Sequence, residues 1–499
     1  MNEGDESGAA SATAAETTAP ERRAATECVE RARAIQTWWA ALEHASRLKF
    51  IEALRGVLVL RRDEIAARVS KATGQPRQEV LCRELLPLLT RCDALLRDDR
   101  RARSREAAWH PYGIVTVLGR VASPFDALLR WSLHALASGN AVVVVPAPEV
   151  RPELAILINE LFEDAGLPSG LHQAVVGDIT TIESLLDAGV DHLCARGSRP
   201  LIRRLATLCG ERLLSCNLDV EVAGVSVVLE EAPLLRAVKA IVWSAFAHNG
   251  RSPGAVRRVL IEDRIARKVE DLMLAGAAAL RLGEDRDFRV DVGPLSSAEE
   301  VEGVHGLVRG LRDAGADRLI GGRRGEAGPL FYEPTVLRSP PRRADNEIAW
   351  PEEAPAGPVL LLERCPDPES AVVRVNRLSG RLRTAIWSGS EGRARRLAAS
   401  LRTPDVAIND GAVFSVFGLI LGGPEPDSAL RPESPVAREK IVREHWRLFE
   451  QPFGFPYDRP RYRILSDLLG EAFAGSRVRR ALALARCVAT LIRARHQAD

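Results

Sequence analysis

From Trp38 to Arg68 the apolar positions recur at helical spacing. Trp39, Leu42, Leu54, Val57, Leu58 and Ile65 fall on one broad face. The same period predicts a second helix over 78–96. Residues 1–27 hold mostly Ala, Thr, Ser, Gly and Glu, with almost no large apolar side chains. A disordered tail is expected there, with helical periodicity starting near Ala34. Beyond Pro111 the pattern changes to short apolar runs alternating with helical stretches. Residues 113–118 and 141–145 are β-rich, and Ala141 to Val145 is continuous enough for a strand buried on both faces. Helices are expected over 125–137, 152–165 and 180–187, and further strands over 172–176 and 190–195.

This β-α-β alternation is the mark of a doubly wound parallel sheet. A second cycle starts near Cys216. Strands are expected over 225–229, 256–261, 359–363, 384–387 and 405–409. Helices are expected over 234–248, 264–280, 301–314 and 392–401. The expected architecture is therefore α/β, with two doubly wound domains joined near residue 220. The divisions are a tail over 1–27, a Rossmann-like nucleotide-binding-type domain over 28–220 and a catalytic-type domain over 221–412. A returning, oligomerisation-type segment over 413–475 and a basic amphipathic helix over 476–499 follow. In that last helix Arg479, Arg486 and Arg493 share one face, and Leu482, Ala485, Ala489 and Ile492 another. Packing on its own protein, docking to a partner and docking to a membrane surface all suit such a helix.

With 499 residues the chain can bury cores without disulfides or metals. Its 69 Lys+Arg against 67 Asp+Glu leave a formal charge of +2, which argues against a dedicated nucleic-acid binder. The eight cysteines form no CxxC pair and lie in apolar runs, so buried free thiols are expected and a metal site is not. No signal-like N-terminus and no spanning apolar stretch is present, so a soluble, cytoplasmic protein is expected.

Several phrases carry a resemblance to a known family. They are the run Trp109 to Leu118, Ala135 to Val144 (similar to "ALaaGNaVVlKP"), and Glu163 to Gly170 (similar to "eAGLPxGv"). Gly321-Gly322, Phe331 to Leu337, Gly357 to Val359, Ile408 to Asp410, Gly422-Gly423 and Pro452 to Asp458 follow in order. Together they resemble the aldehyde dehydrogenase superfamily from about Trp38 to Tyr462, with a class 3-like ending. The resemblance implies NAD(P)-dependent oxidation of aldehydes to acids. In that chemistry a cysteine thiolate adds to the aldehyde, an asparagine amide and a backbone N–H hold the oxyanion, and a glutamate activates water.

The site positions depart from that pattern. The family's "F-x-N-x-G-Q-x-C" aligns without a gap on Phe246 to Pro253, so Pro253 stands at the nucleophile, with neither a nucleophilic atom nor an N–H. Ala122 stands at the oxyanion asparagine. Val145, before Pro146, stands at the lysine that holds the cofactor ribose. Ala354 and Ala356 stand at the glutamate and phenylalanine of "EEiFGPV". Gly197 and Ser198 keep a turn that could present N–H groups to a pyrophosphate, but Ile202 replaces a glycine one turn later. Asp219 stands at the general base, one methylene shorter. Pro146, Gly197 and Ser198 are the cofactor-side candidates, and the cofactor, if any, would be NAD or NADP.

Cys216 could supply a substitute thiol, although a buried cysteine is the plainer reading. His248 and Arg251 could line the old cleft or belong to a surface loop. Ser252 matches family background, and Asp219 is a residual base or an inert solvated carboxylate. Three functions stay open. One is a catalytically inactive binding, scaffold or regulatory subunit, as a homodimer or in a hetero-oligomer with an active relative. Another is a divergent but active NAD(P)-dependent aldehyde oxidoreductase. The third is a membrane-peripheral adaptor that uses residues 476–499.

Overall fold

The computed structural model describes residues 19–98, 110–119, 124–146, 153–220, 223–252, 254–340, 348, 350–351, 354–378, 382–411, 441–444, 453–474 and 477–496. The chain opens with helices α1 (Ala19–Ala41), α2 (His44–Leu60) and α3 (Arg62–Thr73). A short α4 (Arg77–Glu79) runs through a π-helical stretch, Val80–Leu85, into α5 (Leu86–Asp98). Helix α1 corrects the expected tail, because the chain is helical from Ala19 and Ala25, Cys28, Val29 and Ala32 are buried. Alanine favours helix, and these small side chains let the helix axis pack closely. Little apolar area per residue is then enough, which a search for large side chains overlooks.

The first sheet contains β1 (Ile114–Leu118), β2 (Ala141–Val145), β3 (His172–Ala174), β4 (His192–Gly197) and β5 (Ser215–Val220). All pair in parallel in the order β3-β2-β1-β4-β5. Helices α6 (Pro124–Ala137), α7 (Glu153–Asp164), α8 (Ile179–Asp187) and α9 (Arg199–Glu211) connect them. Strands β1 and β2 are buried at every position, as continuous apolar runs require. Asp178 caps α8 by accepting the Thr180 N–H, at 2.8 Å.

The second sheet begins at β6 (Ala223–Val228), followed by α10 (Leu234–Phe246), β7 (Val256–Glu262), α11 (Ala266–Ala278) and α12 (Ala298–Asp313). Then come β8 (Asp317–Ile320), β9 (Thr335–Arg338), β10 (Val359–Cys365), α13 (Pro368–Arg377), β11 (Leu382–Trp387), α14 (Glu391–Ser400), β12 (Asp405–Ile408) and β13 (Ile441–Glu444). The order is β13-β12-β11-β6-β7-β10-β9-β8, parallel except for the antiparallel β8–β9 pair.

Two helices close the described chain, α15 (Arg459–Phe473) and α16 (Arg477–His496). Arg62 Nε donates to the Ser466 carbonyl at 2.8 Å, and the Tyr462 and Ser466 hydroxyls donate to Asp63, tying α15 to α3. Helix α16 packs through Ala483, Leu484 and Cys487, with Arg480 over the Phe473 ring and paired to Asp93. Leu482, Ala485 and Ala489 of the expected apolar stripe face solvent instead. The partner face of α15 is lined by Leu468, Leu469, Ala472 and Phe473, and Arg480 anchors the helix by charge. That rotation is set by tertiary contacts that the helical period alone does not contain. All eight cysteines are free, and Cys216 is half-buried while the other seven are buried.

Candidate functional site

In an open parallel sheet, ligands bind at the carboxyl ends of the strands where the chain order reverses. In the first sheet that point lies between β1 and β4. The described residues there are Gly119, after β1, and Gly197-Ser198, between β4 and α9. Ser198 opens α9 without a side-chain capping bond, and Pro200 in the first turn removes one N–H from the helix start. A Cβ on Gly197 would come 2.8 Å from a Leu201 methyl, so a larger residue there would require Leu201 to shift.

Asp219 lies on β5 in register with Arg196 on β4. Its carboxylate accepts from Arg196 Nε at 2.9 Å and again from Nη2. The Asp219 side chain is 6% exposed and that of Arg196 15% exposed. Asp219 is therefore neither a solvated carboxylate nor an unengaged base. It is one half of a cross-strand ion pair at the carboxyl edge of the sheet. Arg196 occupies a position where the family reads "FTGS", so the pair is a property of this chain.

A nicotinamide dinucleotide is implied by the fold, and the residues at this crevice fit it poorly. Val145 and Ile202 are buried in the apolar core, at 0% and 7% exposure, and offer no polar atom to a ribose. Pro146 is buried at the end of β2. The start of α9 and the Ser198 hydroxyl remain as groups for an anion. Among the described residues they are not joined by the polar set that a whole dinucleotide would need.

The segment at the nucleophile position is built differently. Helix α10 ends at Phe246, and His248, Asn249 and Gly250 follow with φ of 50°, 55° and 66°. Left-handed backbone suits Gly250, where a Cβ would meet the Gly357 carbonyl at 2.2 Å. At His248 and Asn249 it costs about 1 kcal/mol or more each and persists only where the surroundings impose it. The surroundings do so through hydrogen bonds. Asn249 Nδ2 donates to the Gly293 and Pro294 carbonyls, both at 2.9 Å. The His248 ring lies between Gln75 Nε2, 3.2 Å from Nδ1, and Arg251 Nη2, 2.8 Å from Nε2. Arg251 also donates to Ser296 Oγ, to Glu300 at 3.3 Å and to the Thr73 carbonyl at 3.4 Å. His248, Arg251 and Ser252 are 2–3% exposed, so this is a buried segment and not a surface loop.

The network extends into the N-terminal helices. Glu79 accepts from the Tyr457 hydroxyl at 2.8 Å, and that hydroxyl accepts from Trp243 Nε1 at 2.8 Å. Glu84 accepts from Gln75 Nε2 at 3.0 Å and from the Asp126 N–H at 2.7 Å. Burial pushes the Glu79 carboxyl up to about 7 against the pull of Arg83, Tyr457, the His248 N–H and Arg251. Burial also pushes Glu84 to about 7, despite the N–H bond from Asp126. Desolvation lowers the Arg251 and Arg83 guanidiniums below their usual value.

The sequence had marked His248, Arg251, Ser252 and Asp219. It had not marked Gln75, Glu79, Glu84, Arg196, Glu300 or Tyr457. A usable signal was present, because Glu79 precedes and Arg83 and Glu84 interrupt the apolar run Val80 to Leu89, where charges must be paired. Pro253 and Ala122 lie outside the described residues. Ala354 and Ala356 are half-buried, without polar side-chain atoms. Cys216 is half-buried on the face of β5 opposite Asp219 and is not brought to Asp219. No group of three or more His, Cys, Asp or Glu among the described residues could hold a metal ion. No helix among them is long and apolar enough to cross a membrane.

Comparison with known proteins matches this architecture. The family model described as the aldehyde dehydrogenase family covers residues 6–425. The chain is 28% identical over 448 residues to the "Putative succinate-semialdehyde dehydrogenase (NADP(+)) 2" of Mycobacterium tuberculosis, spanning 85% of each chain. It is 27% identical over 351 residues to the benzaldehyde dehydrogenase (NAD(+)) of Pseudomonas putida, spanning 70% of each. Among solved structures, the aldehyde dehydrogenase KauB of Pseudomonas aeruginosa superposes with a TM-score of 0.71 at 25% identity. That match covers 78% of this chain and 81% of KauB. The NAD+ complex of a Bacillus cereus aldehyde dehydrogenase superposes with a TM-score of 0.72 at 22% identity, over 78% and 81%. With the family model matched over residues 6–425, most of its length, the chain belongs to the aldehyde dehydrogenase family.

Proposed function

We propose that this chain is a family member that has left aldehyde oxidation and serves as a binding, scaffold or regulatory subunit. The observation that carries the reading is the fate of the general-base position. Asp219 is buried against Arg196, and its carboxylate is engaged by two guanidinium N–H groups and not presented to a water. Proline at the nucleophile position and alanine at the oxyanion asparagine support the same reading from the sequence. Members of one catalytic unit fail together, so loss of the nucleophile alone returns the rate to background. The division at residue 220, a homodimer or a hetero-oligomer with an active relative, contacts through 476–499, and a cytoplasmic location belong to this proposal.

Titration calorimetry with NAD and NADP, followed by turnover of an aldehyde panel, tests it. The expected result is no saturable heat at millimolar cofactor and no reduction of NAD(P) above a heat-inactivated control. Turnover that depends on Asp219 would replace the proposal with a divergent dehydrogenase, an activity that the relatives' names describe.

A further inference from the structure

A cleft of about 450 Å³ opens between the end of α3 and the segment 284–296, away from the carboxyl edge of the first sheet. Its size suits a small metabolite. Two glycines create it. Gly74 caps α3 with φ 75°, and a Cβ there would meet Pro294 Cγ at 2.7 Å. A Cβ on Gly293 would meet the Gly74 carbonyl at 1.9 Å. The two backbones thus touch at the back, and the side chains ahead of them stand apart.

The charges of the lining are mostly spent on one another. Asp285 accepts the Arg77 N–H at 2.7 Å and its Nε at 3.3 Å, and Arg77 lies over the Phe288 ring at 3.8 Å. Arg286 pairs with Glu284 at 2.8 Å. Lys71 remains as a lining cation that no carboxylate takes, at the exposed rim. Deeper in, Ser70 is 8% exposed as a residue and lines the cleft, and among the described residues its hydroxyl has no hydrogen-bond partner. The rest of the wall includes the apolar Ala67, Pro294, Leu295 and Leu330. One surplus cation, one unengaged hydroxyl and an apolar wall match a monoanion with a short hydrocarbon body. A phosphate dianion matches less well, because the first N–H of α4 is already taken by Asp285.

We infer that this cleft is a binding site for a small aliphatic carboxylate, and that its occupancy is felt at 246–252. The link is short. Thr73 and Ser296 both line the cleft, and both accept hydrogen bonds from Arg251, which holds His248 in its left-handed conformation. The inference does not depend on whether the chain turns over aldehydes, since none of its groups lies at the crevice of the first sheet.

The test is calorimetry of the full chain with butyrate, butyramide and inorganic phosphate, with hydrogen exchange followed at 246–252. Butyrate is expected to bind, and butyramide to bind weaker by on the order of ten-fold, for loss of the ionic contact. Lys71→Glu is exposed and should keep the melting temperature while weakening butyrate by at least that factor. Ser70→Ala should weaken it by about three- to ten-fold. Exchange at 246–252 should slow when butyrate is bound. No butyrate heat from folded protein, equal binding of butyramide, or tighter binding of phosphate would overturn the site. Unchanged exchange at saturation would overturn the link. NAD(P) titration and aldehyde turnover are read separately, so the result leaves the status of the catalytic positions independent.

Discussion

Removing the Asp219 carboxylate should cost stability and leave nothing catalytic to lose. In Asp219→Ala the Arg196 guanidinium stays on β4 without the two contacts at Nε and Nη2 that now hold it. Removing one member of a buried pair costs about 3–5 kcal/mol where the remaining charge loses its compensation, and any contact Arg196 keeps lowers that cost. Arg196 is 15% exposed and can turn partly toward water, so the lower end, about 3 kcal/mol, applies. For a unit of about 200 residues that is a fall of roughly 6–12 °C in melting temperature. The double variant Arg196→Met/Asp219→Leu removes both charges and should recover most of the loss, since an apolar replacement of similar volume is close to neutral. Calorimetric unfolding of the wild type, both single variants and the double variant gives the coupling directly. A loss below about 1 kcal/mol in Asp219→Ala would show that the pair is not structural. If that variant kept its melting temperature but lost an aldehyde-dependent reduction of NAD(P), Asp219 would be a working base and the reasoning refuted.

The pH profile of stability should be flat near pH 5–6, and melting temperatures across buffers will check it. Glu79 and Glu84 rise from 4.5 to about 7 on folding, so their contribution is full below 4.5 and lost as pH climbs through 7. Burial lowers His134 and His172 from 6.5 to about 3, so their contribution is full above 6.5 and lost as pH falls toward 3. Between 4.5 and 6.5 the two pairs oppose, and below 4.5 the histidines alone remove about 2–3 kcal/mol per pH unit; a steady rise from pH 4.5 to 8 would contradict the assignment. Gly250→Ala places a methyl 2.2 Å from the Gly357 carbonyl at a φ of 66°, and should cost about 3 kcal/mol or more from the steric clash and the left-handed backbone, read as poor folding or a large melting shift. A thiol reagent on native protein should label Cys216 first, since burial keeps the thiols of Cys92, Cys194 and Cys365 up at about 12; peptide mapping that finds one of those three ahead of Cys216 would contradict this. The double change Pro253→Cys/Ala122→Asn should give no turnover, because Asp219 stays tied to Arg196; measurable aldehyde oxidation would count against the proposed function.

Strands β1 and β2 were legible because they are buried on both faces and therefore nearly all apolar, and Ala141 to Val145 needs no tertiary information to be recognised. Helix α1 was not legible, because its packing rests on Ala25, Cys28 and Ala32, whose contribution depends on how close the neighbouring element comes. Strands β8 and β9 were missed for a related reason. Each is four residues long, too short for alternation to rise above chance, and their antiparallel pairing contains a register shift. In α16 the helix was found and its orientation was not, since Arg480 fixes the rotation through Asp93, almost four hundred residues away in sequence.

The site divides along the same line. Residue identity at an aligned position says what chemistry is missing, and Pro253 and Ala122 say it without a structure. It does not say what occupies the space. At the nucleophile segment the answer lies in residues far apart in the chain: Gln75 and Glu79 at α4 within the N-terminal helical run, Tyr457 near the end, and Glu300 between them. These side chains hold His248 and Asn249 in a left-handed conformation that would otherwise be unfavourable, and both residues are buried. An idle segment left over from a lost reaction would not need polar side chains drawn from three regions of the chain to fix its backbone. The fixed shape itself is what the network maintains, and Arg251 carries that shape to the wall of the cleft beside α3.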